Sequence, residues 1–472
     1  MALVLLVGIT ALAVGLRLNG LDRKSVWYDE SITALFARQS LQGVLDSAYG
    51  DTNPPLYYLV MHVWLPLTWN DFWLRLPSAI FSAGAVTATV LFGRSLRGWS
   101  LGLLAGLFTA LAPFAIDLGQ EARSYGLLTL LTVISVWVLF EACRSGQKRW
   151  WAVYVAATIG AVYTHNYGWF LVGAESICAL GYLIWSRRWD WGPLASFLAI
   201  GAAYLPWLPA LMYQARLATS GAIWAPSAPN ATLLGDTYSA LVSYIAPSSR
   251  GGEWLQPAAG WLVGLLLAAS LFSARRRPGL LFPIVALAFP IAAAISFSFA
   301  VKPIFVVRHA VNLVPLFWLC VAAGVLLLPT RLLKLLAVAL VAGTLALSLP
   351  SLYSDASLDP ADLRQAAALV RQSARPGDLV VHTSYFTTYP FEYYNRDLIE
   401  QAEVEDPRTI ARVVSGRPRF WYLVNYDQFN PDAEARTDDL ARGYLAPWTI
   451  LQGHSGRGYH LYLAQPIGSP IT

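Results

Sequence analysis

Four short clusters of acidic, basic and aromatic residues interrupt the apolar stretches of this sequence, and they contain the groups best suited to chemistry. The first is Trp27-Tyr28-Asp29-Glu30. Two adjacent carboxylates beside amphipathic aromatic rings suit a site that removes a proton from an acceptor or holds a cation. A structural interpretation is also open, because the helix dipole favours acidic residues in the first turn of a helix.

The second cluster, Asp51-Thr52-Asn53-Pro54-Pro55-Leu56-Tyr57-Tyr58, interrupts a helical pattern with two prolines and then resumes it with an aromatic face. Proline cannot continue a helix but is accommodated in the first turn of the next one. Asp51 and Tyr57 are the candidate substrate-binding residues here. The alternative interpretation is that Asn53-Pro54-Pro55 forms only a turn.

The third cluster is Gln120-Glu121-Ala122-Arg123-Ser124-Tyr125, a very short connection in front of an apolar stretch. The planar guanidinium of Arg123 has the geometry to bind a phosphate or a carboxylate with two parallel hydrogen bonds. Glu121 is a second candidate for substrate binding. A structural ion pair of Arg123 with Glu121 or Asp29 is the alternative.

The fourth cluster runs from Lys302 to His309 and places two cations, Lys302 and Arg308, six residues apart at the start of an apolar run. A phosphate headgroup would accept charge-assisted hydrogen bonds from both. The alternative is that these side chains extend to the membrane interface without a ligand. Glu175 lies within an apolar segment and is interpreted as a buried, hydrogen-bonded group.

The composition places these clusters in a membrane protein. The 472 residues are 56% hydrophobic and 13% charged, whereas a soluble domain has about one quarter charged residues. The net charge of +5 comes from short basic clusters between apolar runs, which is typical of membrane topology and not of a nucleic-acid-binding face. The apolar run over residues 2–15 is interpreted as a retained first span and not as a signal peptide.

Crossing a bilayer takes a helix of about 20 apolar residues. Eleven such segments are predicted, centred near residues 11, 83, 107, 133, 157, 176, 203, 265, 290, 317 and 341. Basic residues mark alternate connections, and the positive-inside rule makes those connections cytoplasmic. They are Arg94, Arg97, Arg144, Lys148, Arg149, Arg187, Arg188, Arg275, Arg276, Arg277, Arg331 and Lys334.

The opposite connections are then outside, and all four clusters lie on this predicted outer side. The predicted outer connections are 21–72, 116–124, 164–167, 214–256 and 301–305. Arg17, Arg23 and Lys24 disagree with this orientation. Two helices lying in the membrane interface are expected in the first outer connection, one of them over Ser31 to Leu45.

The chain beyond the last span has shorter apolar runs, so we expect a transmembrane domain over 1–350 and a small α/β extracytoplasmic domain over 351–472. Asp359-Pro360 with Asp362 predicts an N-cap with proline at the first helical position. Strands are predicted at 379–382, 420–424 and 458–464. The aromatic stretch 385–394 either faces a glycan or the membrane, or belongs to the core of this domain.

Together the clusters resemble the GT-C glycosyltransferases, and in particular the group that contains the protein O-mannosyltransferases and the lipid A aminoarabinose transferase. The resemblance covers most of the membrane region. The motifs that carry it are Trp27-Tyr28-Asp29-Glu30-Ser31, Asn53-Pro54-Pro55-Leu56-Tyr57-Tyr58, Arg75-Leu76-Pro77-Ser78 and Gln120-Glu121-Ala122-Arg123-Ser124-Tyr125. Arg308-His309 resembles an Arg-Tyr pair of the family, with His309 in place of Tyr.

This resemblance implies transfer of a sugar from a polyprenyl-phosphate donor to an acceptor on the outer face of a bacterial-type inner membrane, with inversion at the anomeric carbon. Asp29 matches the position of the family's catalytic acidic residue and would act as general base on the acceptor hydroxyl. Glu30 would orient the acceptor or bind a divalent cation together with Asp29. Arg308, Lys302 and Arg123 would stabilise the phosphate. The acceptor can be a protein, a lipid or a glycan.

Two other classes of function fit many of the same features. A transporter or flippase for lipid-linked glycans also needs many spans and phosphate-binding cations, but it predicts functional charges near mid-membrane and helices broken there. In this sequence most unusual charges lie at the outer ends of the spans, which favours the enzyme. A scaffold without catalytic activity is the third class, and the activity of an Asp29→Asn variant separates it from the first.

Overall fold

The computed structural model describes residues 1–187, 190–219, 228–243, 252–356, 359–427, 430 and 432–467. Arg188 of the predicted basic connections, much of the predicted outer connection 214–256 and the end of the predicted C-terminal domain lie outside the described residues, as does the side chain of Arg276. Contacts between residues divide the chain into two compact units. The first contains Met1–Asn19, Ser40–Trp64 and Arg75–Ser354, and the second contains Gly20–Gln39, Leu65–Leu74 and Asp355–Thr472.

Most of the described chain up to Ser354 is helical, because hydrocarbon leaves a backbone no hydrogen-bond partners except its own. The α-helices described there are α1 (Ala2–Leu18), α2 (Tyr28–Ala37), α3 (Leu41–Gly50), α4 (Leu56–Trp64), α5 (Asp71–Arg97), α6 (Trp99–Leu111), α7 (Pro113–Asp117), α8 (Tyr125–Ser145), α9 (Lys148–Thr164), α10 (Gly168–Ser186), α11 (Gly192–Tyr204), α12 (Leu208–Thr219), α13 (Ala231–Val242), α14 (Gly252–Arg276), α15 (Leu281–Ala300), α16 (Val314–Val325) and α17 (Arg331–Ser354). Short 3₁₀ turns are Leu65–Leu67, Leu205–Trp207, Pro278–Leu280 and Val307–Leu313.

The described residues contain eight helical segments that are long and apolar enough to cross a membrane. The eleven predicted centres all fall within helices, but the count of eleven is not confirmed. Three of the centres fall in α1, α6 and α9, which have 17, 13 and 17 residues. A helix of 13 residues is about 20 Å long and is shorter than the hydrocarbon core.

Glycines let the membrane helices pack closely in the first unit. A Cβ atom added at Gly102 of α6 would collide with the carbonyl oxygen of Val90 in α5. One added at Gly324 of α16 would collide with the carbonyl oxygen of Leu266 in α14. Small residues at such crossings increase van der Waals contact, which drives helix association where water is absent.

Arg17 disagreed with the predicted orientation because it is not a loop residue. Its side chain is buried, and its Nε atom donates a hydrogen bond to Ser82 Oγ at 2.7 Å. The two terminal nitrogens donate to the carbonyl oxygens of Ala13, Ala110 and Thr109. Arg17 therefore satisfies carbonyl groups at the end of α6 and is not a counter-charge in a connection.

Glu175 is buried in α10 and hydrogen-bonded, as interpreted from the sequence. The hydroxyl of Tyr154 donates to Glu175 Oε2 at 3.0 Å, and Ser135 Oγ donates to Oε1. Ser135 also shares a 2.7 Å hydrogen bond with Thr158. The carboxyl group of Glu175 thus joins α8, α9 and α10 inside the first unit.

The second unit contains a five-stranded mixed sheet, which confirms the predicted small C-terminal α/β domain. Its elements are α18 (Leu363–Ser373), β1 (Leu379–His382), α19 (Tyr385–Asn395), β2 (Glu400–Glu403), α20 (Ile410–Val413), β3 (Phe420–Asn425), α21 (Ala433–Tyr444), β4 (Trp448–Gly456) and β5 (Tyr459–Pro466). The strand order is β2-β1-β3-β5-β4, where β2, β1 and β3 run parallel and β5 is antiparallel to both neighbours.

Two predictions about local structure differ from the structure in detail. Of the predicted capping group, Asp362 is the N-cap and its carboxylate accepts from Gln365 N, but the helix begins at Leu363, so Pro360 is not its first residue. Asp359 instead pairs with Arg23 at 2.7 Å, which accounts for a second basic residue that disagreed with the orientation. The single helix expected over Ser31 to Leu45 is two helices, because Ser40 caps the start of α3 with its hydroxyl.

An ion pair between Arg419 and Asp378 links the starts of the neighbouring strands β3 and β1. Asp378 is almost completely buried and receives two hydrogen bonds of 2.8 Å from the Arg419 guanidinium and one of 3.3 Å from Trp421 Nε1. We expect Arg419→Met to destabilise the sheet by about 3–5 kcal/mol, because it leaves a buried carboxylate without its counter-charge. Faster amide hydrogen exchange in β1 and β3 of the full chain would show this, and Arg408→Met, at an exposed arginine, is the control.

Candidate functional site

His165 is the point where several polar connections of the first unit meet. It follows α9 and is buried, and burial lowers the pKa of its imidazole to about 4. The positive charges of Arg123 and Arg308 act on it in the same direction, and the Asp51 carboxylate opposes them. Charges that shift the same imidazole must lie near it. The fold therefore brings together three predicted site residues that are far apart in the sequence.

The three-residue connection 165–167 is held in place on both sides. His165 Nδ1 accepts from Tyr167 N at 3.1 Å. Asn166 Nδ2 donates to the carbonyl oxygen of Thr52 at 2.9 Å and to Gln214 Oε1 at 3.3 Å. These hydrogen bonds tie the connection to the segment with the Asn53-Pro54-Pro55 turn and to α12.

Arg123 is positioned through its own backbone. Ser78 Oγ donates to the Arg123 carbonyl oxygen at 2.9 Å, and the Tyr57 hydroxyl lies 2.5 Å from Ser78 Oγ. Because Ser78 uses its proton for Arg123, Tyr57 donates to Ser78. Tyr57 is buried, and Ser78 links it to the backbone of Arg123. Glu121 lies in the same connection, and its carbonyl oxygen accepts from Arg123 N at 2.7 Å.

Asp51 ends α3 and organises the turn that follows it. Its carboxylate accepts a 2.5 Å hydrogen bond from the Tyr58 hydroxyl and weaker ones from the backbone and side chain of Asn53. Asn53 is itself buried. The turn predicted at Asn53-Pro54-Pro55 is therefore present, and the Asp51 carboxylate at its start acts electrostatically on His165.

His309 packs against the same connection. Its ring centroid lies 5.2 Å from that of His165 and 4.4 Å from that of Tyr167. Its Nδ1 atom is buried and has no hydrogen-bond partner among the described residues. Arg308 precedes it in the 3₁₀ turn Val307–Leu313. Lys302 lies half-buried at the other end of this connection.

Asp29 and Glu30 belong to the second unit, although the sequence placed them in an outer connection of the membrane domain. Both lie in the first turn of α2. Glu30 is fully buried, and its carboxylate accepts a 3.4 Å hydrogen bond from Trp27 N, an arrangement that caps the helix start. Asp29 is half-buried, and its carbonyl oxygen accepts from Thr33 Oγ1.

A buried network fixes the segment before α2 within the second unit. Asp71 accepts hydrogen bonds from Arg364 at 2.5 Å and from the Tyr394 hydroxyl at 2.6 Å, and that hydroxyl accepts from Val26 N at 2.8 Å. Burial, and then the Asp71 carboxylate, raise the pKa of Tyr394. Tyr394 therefore remains a neutral donor to Asp71 at neutral pH, and α2 begins at a defined position.

The donor set does not fit a calcium ion bound by Asp29 and Glu30. Calcium takes six to eight oxygen ligands, most of them from the protein, whereas magnesium is commonly held by one or two carboxylates together with water and phosphate. In the described ranges no three His, Cys, Asp or Glu side chains gather into a metal-binding group. The Glu30 carboxylate is also used in capping α2.

The sequence analysis did not single out His165, Asn166 or Tyr167 as site residues. The signal was present, because these three residues form a short polar connection between two apolar helices on the predicted outer side. Their importance follows from the ring contact of His165 with His309 and from the charges of Asp51 and Arg123 that act on it, which only the fold creates.

His165 makes a pH dependence of stability testable. Its pKa is lowered from 6.5 to about 4, so the unfolded chain binds the proton first and stability falls as the pH drops from 6.5 toward 4. The loss is on the order of 3 kcal/mol for a shift of this size. We expect His165→Gln to reduce this loss, measured as the change in melting temperature between pH 7 and pH 4.5. An equal loss in the variant and the native chain would contradict the role of His165.

These features define a class of protein: a polytopic α-helical membrane protein with polar groups gathered in the connections between its helices and a small α/β domain after the last span. This is the GT-C architecture, and the solved structures below show the same fold.

Residues 52–213 match the family model described as dolichyl-phosphate-mannose-protein mannosyltransferase. The fold matches ArnT from Cupriavidus metallidurans in its apo state with a TM-score of 0.60, 13% identity and 97% of each chain covered. The same protein bound to undecaprenyl phosphate gives 0.61, 15% and 97% of each chain. The archaeal oligosaccharyltransferase AglB from Archaeoglobus fulgidus, in complex with an inhibitory peptide and a dolichol-phosphate, gives 0.55 and 12%, covering 100% of this chain and 75% of that one.

No curated protein matches the sequence. The comparisons confirm the predicted GT-C fold and the resemblance to the mannosyltransferase and ArnT group. They also support the general class of glycosyltransferase and a multi-pass membrane protein.

Proposed function

We propose that this protein is a membrane glycosyltransferase that moves a sugar from a polyprenyl-phosphate donor to an acceptor on the extracytoplasmic face of a bacterial-type inner membrane. The observation that carries the proposal is the convergence of Arg123 and Arg308 on the buried His165 in the first unit. The family model over residues 52–213 names a dolichyl-phosphate-mannose transferase, and the ArnT and AglB structures contain polyprenyl or dolichol phosphates, which supports a lipid-phosphate donor.

The cationic group has the properties of a phosphate site. Arg123 and Arg308 both act on the buried imidazole of His165, where the surrounding dielectric is low and charges interact strongly. A phosphate group bound there would accept charge-assisted hydrogen bonds from both guanidinium groups. Lys302, in the same connection as Arg308, is a third candidate cation. His309, with its buried Nδ1 atom, is a candidate hydrogen-bond partner of the donor.

These cations also promote the reaction itself. The phosphate gains negative charge as the bond between the anomeric carbon and the phosphate oxygen breaks. Preorganised cations stabilise that transition state more than they stabilise the bound donor, and the difference accelerates the reaction. The leaving group is polyprenyl phosphate. Asp51, Tyr57 and Glu121 support this site by positioning the connections that carry the cations.

Asp29 is the proposed general base. It accepts the proton of an acceptor hydroxyl while that oxygen bonds to the anomeric carbon from the face opposite the phosphate, so the configuration inverts. Asp29 lies in the first turn of α2, and the capping by Glu30 fixes that turn. Proton transfer requires this fixed geometry, because the base must come within hydrogen-bond distance of the hydroxyl.

A transporter of lipid-linked glycans is less well supported. It would require functional charges inside the membrane. Arg17 and Glu175 are two of the buried charged residues in the described membrane helices. Both are engaged in hydrogen bonds to neighbouring helices, so they serve packing.

The direct test is release of polyprenyl phosphate. Purified protein in lipid nanodiscs is incubated with a panel of polyprenyl-phosphate sugars, with and without a membrane extract as acceptor source, and the released lipid is quantified by mass spectrometry. We expect release from at least one donor. Absence of release from every donor, together with movement of intact donor across proteoliposome membranes, would contradict the proposal and support transport.

A further inference from the structure

Three aromatic rings of α19 surround Tyr28 on the surface of the second unit. The centroid of the Tyr28 ring lies 5.2 Å from that of Tyr385, 5.1 Å from that of Phe386 and 5.8 Å from that of Tyr389. The three α19 side chains are 43%, 51% and 38% exposed, respectively. We call these four residues the aromatic patch. The stretch 385–394 therefore does not belong to the core as a whole.

The other side of α19 is firmly buried. Phe391, Tyr393 and Tyr394 are almost inaccessible, and the Tyr394 hydroxyl is fixed by hydrogen bonds with Asp71 and with the backbone of Val26. The patch is therefore presented by a helix that is anchored along its opposite face. A surface that is rigid before binding loses little conformational entropy when a ligand binds.

The chemistry around the patch favours a polyhydroxylated ligand over a bilayer. Asp29 follows Tyr28 directly in the first turn of α2. Thr388, next to Tyr389, donates a 2.9 Å hydrogen bond to Glu403 Oε2. Anionic lipid headgroups are attracted by lysine and arginine and are repelled by carboxylates. Carboxylates and tyrosine hydroxyls are instead good partners for sugar hydroxyl groups.

We infer that the aromatic patch binds a sugar ring of the acceptor, so that the acceptor is a glycan or a glycoconjugate. The carbon-bound hydrogens on one face of a sugar ring pack against the electron-rich faces of aromatic rings. Its hydroxyl groups then extend toward the surrounding carboxylates. Tyr28 and Asp29 share the first turn of α2, so a ring held on the patch lies within one helical turn of the proposed base. This inference rests on the proposed function, because only a transferase has an acceptor. Binding of the sugar can nevertheless be measured without turnover.

The test measures binding of fluorescently labelled neutral oligosaccharides, namely glucan, mannan and galactan fragments of four to six sugars, to the full chain in nanodiscs. We expect at least one of them to bind saturably and to bind at least tenfold more weakly to Phe386→Ala. Tyr389→Phe keeps the ring and loses only the hydroxyl, so it should bind more weakly than the native chain but more tightly than Phe386→Ala. Phe72→Ala is the matched control, because Phe72 belongs to the same unit and is 37% exposed, but it is not part of the patch.

Three outcomes would overturn the inference. The first is that no oligosaccharide binds saturably. The second is that Phe386→Ala and the native chain bind equally well. The third is that Phe386→Ala only loses association with phosphatidylglycerol vesicles. Unchanged melting temperatures of the variants exclude misfolding as the cause. The two proposals fail separately: oligosaccharide binding without release of polyprenyl phosphate would refute the transferase activity alone, and release without oligosaccharide binding would refute the glycan acceptor alone.

Discussion

Asp29→Asn is expected to lower the rate of sugar transfer by about 10² to 10⁴-fold, the usual contribution of a general base. The amide has nearly the same shape as the carboxylate and keeps the first turn of α2, but it cannot accept the proton of the acceptor hydroxyl. The KM for the donor should change little, since the proposed phosphate-binding residues remain. Initial rates of polyprenyl phosphate release at saturating donor measure the effect.

The matched control for this substitution is Asp439→Asn, an exposed aspartate on α21 of the same unit. It should leave the rate unchanged. Glu30→Gln separates positioning from catalysis, because Glu30 caps the start of α2. We expect it to lower the melting temperature and to reduce the rate less than Asp29→Asn does. A rate for Asp29→Asn within threefold of the native value, at normal expression, would rule out Asp29 as the base.

Arg308→Gln is expected to lower the rate by about 10² to 10³-fold, as removal of one preorganised donor to a developing anion does in other enzymes. The residue lies near the buried His165 together with Arg123, so its charge acts where water screens little. Arg308→Lys keeps the charge but loses the planar guanidinium, and an intermediate rate is expected. Both kcat and the KM for the donor should change, because the same cation binds the donor and stabilises the leaving phosphate.

Arg331→Gln is the control for Arg308, because Arg331 starts α17 in a connection predicted to be cytoplasmic. It should leave both constants unchanged. A second measurement, binding of undecaprenyl phosphate without a sugar, tests the site without turnover and should be weakened by Arg308→Gln. Full activity of Arg308→Gln together with unchanged lipid binding would remove Arg308 from the phosphate site.

Much of the membrane region could be predicted from the sequence, because apolar length and helical hydrogen bonding follow from local composition. All eleven predicted centres fall in helices, although only eight described segments meet the length and composition of a span. The short helices α1, α6 and α9 illustrate the difference. Composition marks an apolar helix, but the residues at its ends decide how long it is.

In the C-terminal domain too, local composition predicted some strands and missed others. The predicted strand at 379–382 is β1 as observed, and β3 and β5 extend the other two predicted strands slightly. Two strands escaped prediction. β2, Glu400–Glu403, is polar because it lies at a sheet edge, and β4 contains an irregularity in its pairing between Ile450 and Gln452. Edge position and pairing are properties of the sheet and not of the segment.

By itself the sequence determined the class of protein and the chemical character of its clusters, because hydropathy, charge and motif order are local properties. Asp29, Arg123 and Arg308 were all recognised as candidates in this way. Only the tertiary structure decided that Arg123, Arg308 and Asp51 share the neighbourhood of His165, and that the segment with Asp29 folds with the C-terminal domain. These facts depend on interactions between residues that lie far apart in the sequence, and such interactions are set by tertiary packing, which no short stretch of sequence encodes.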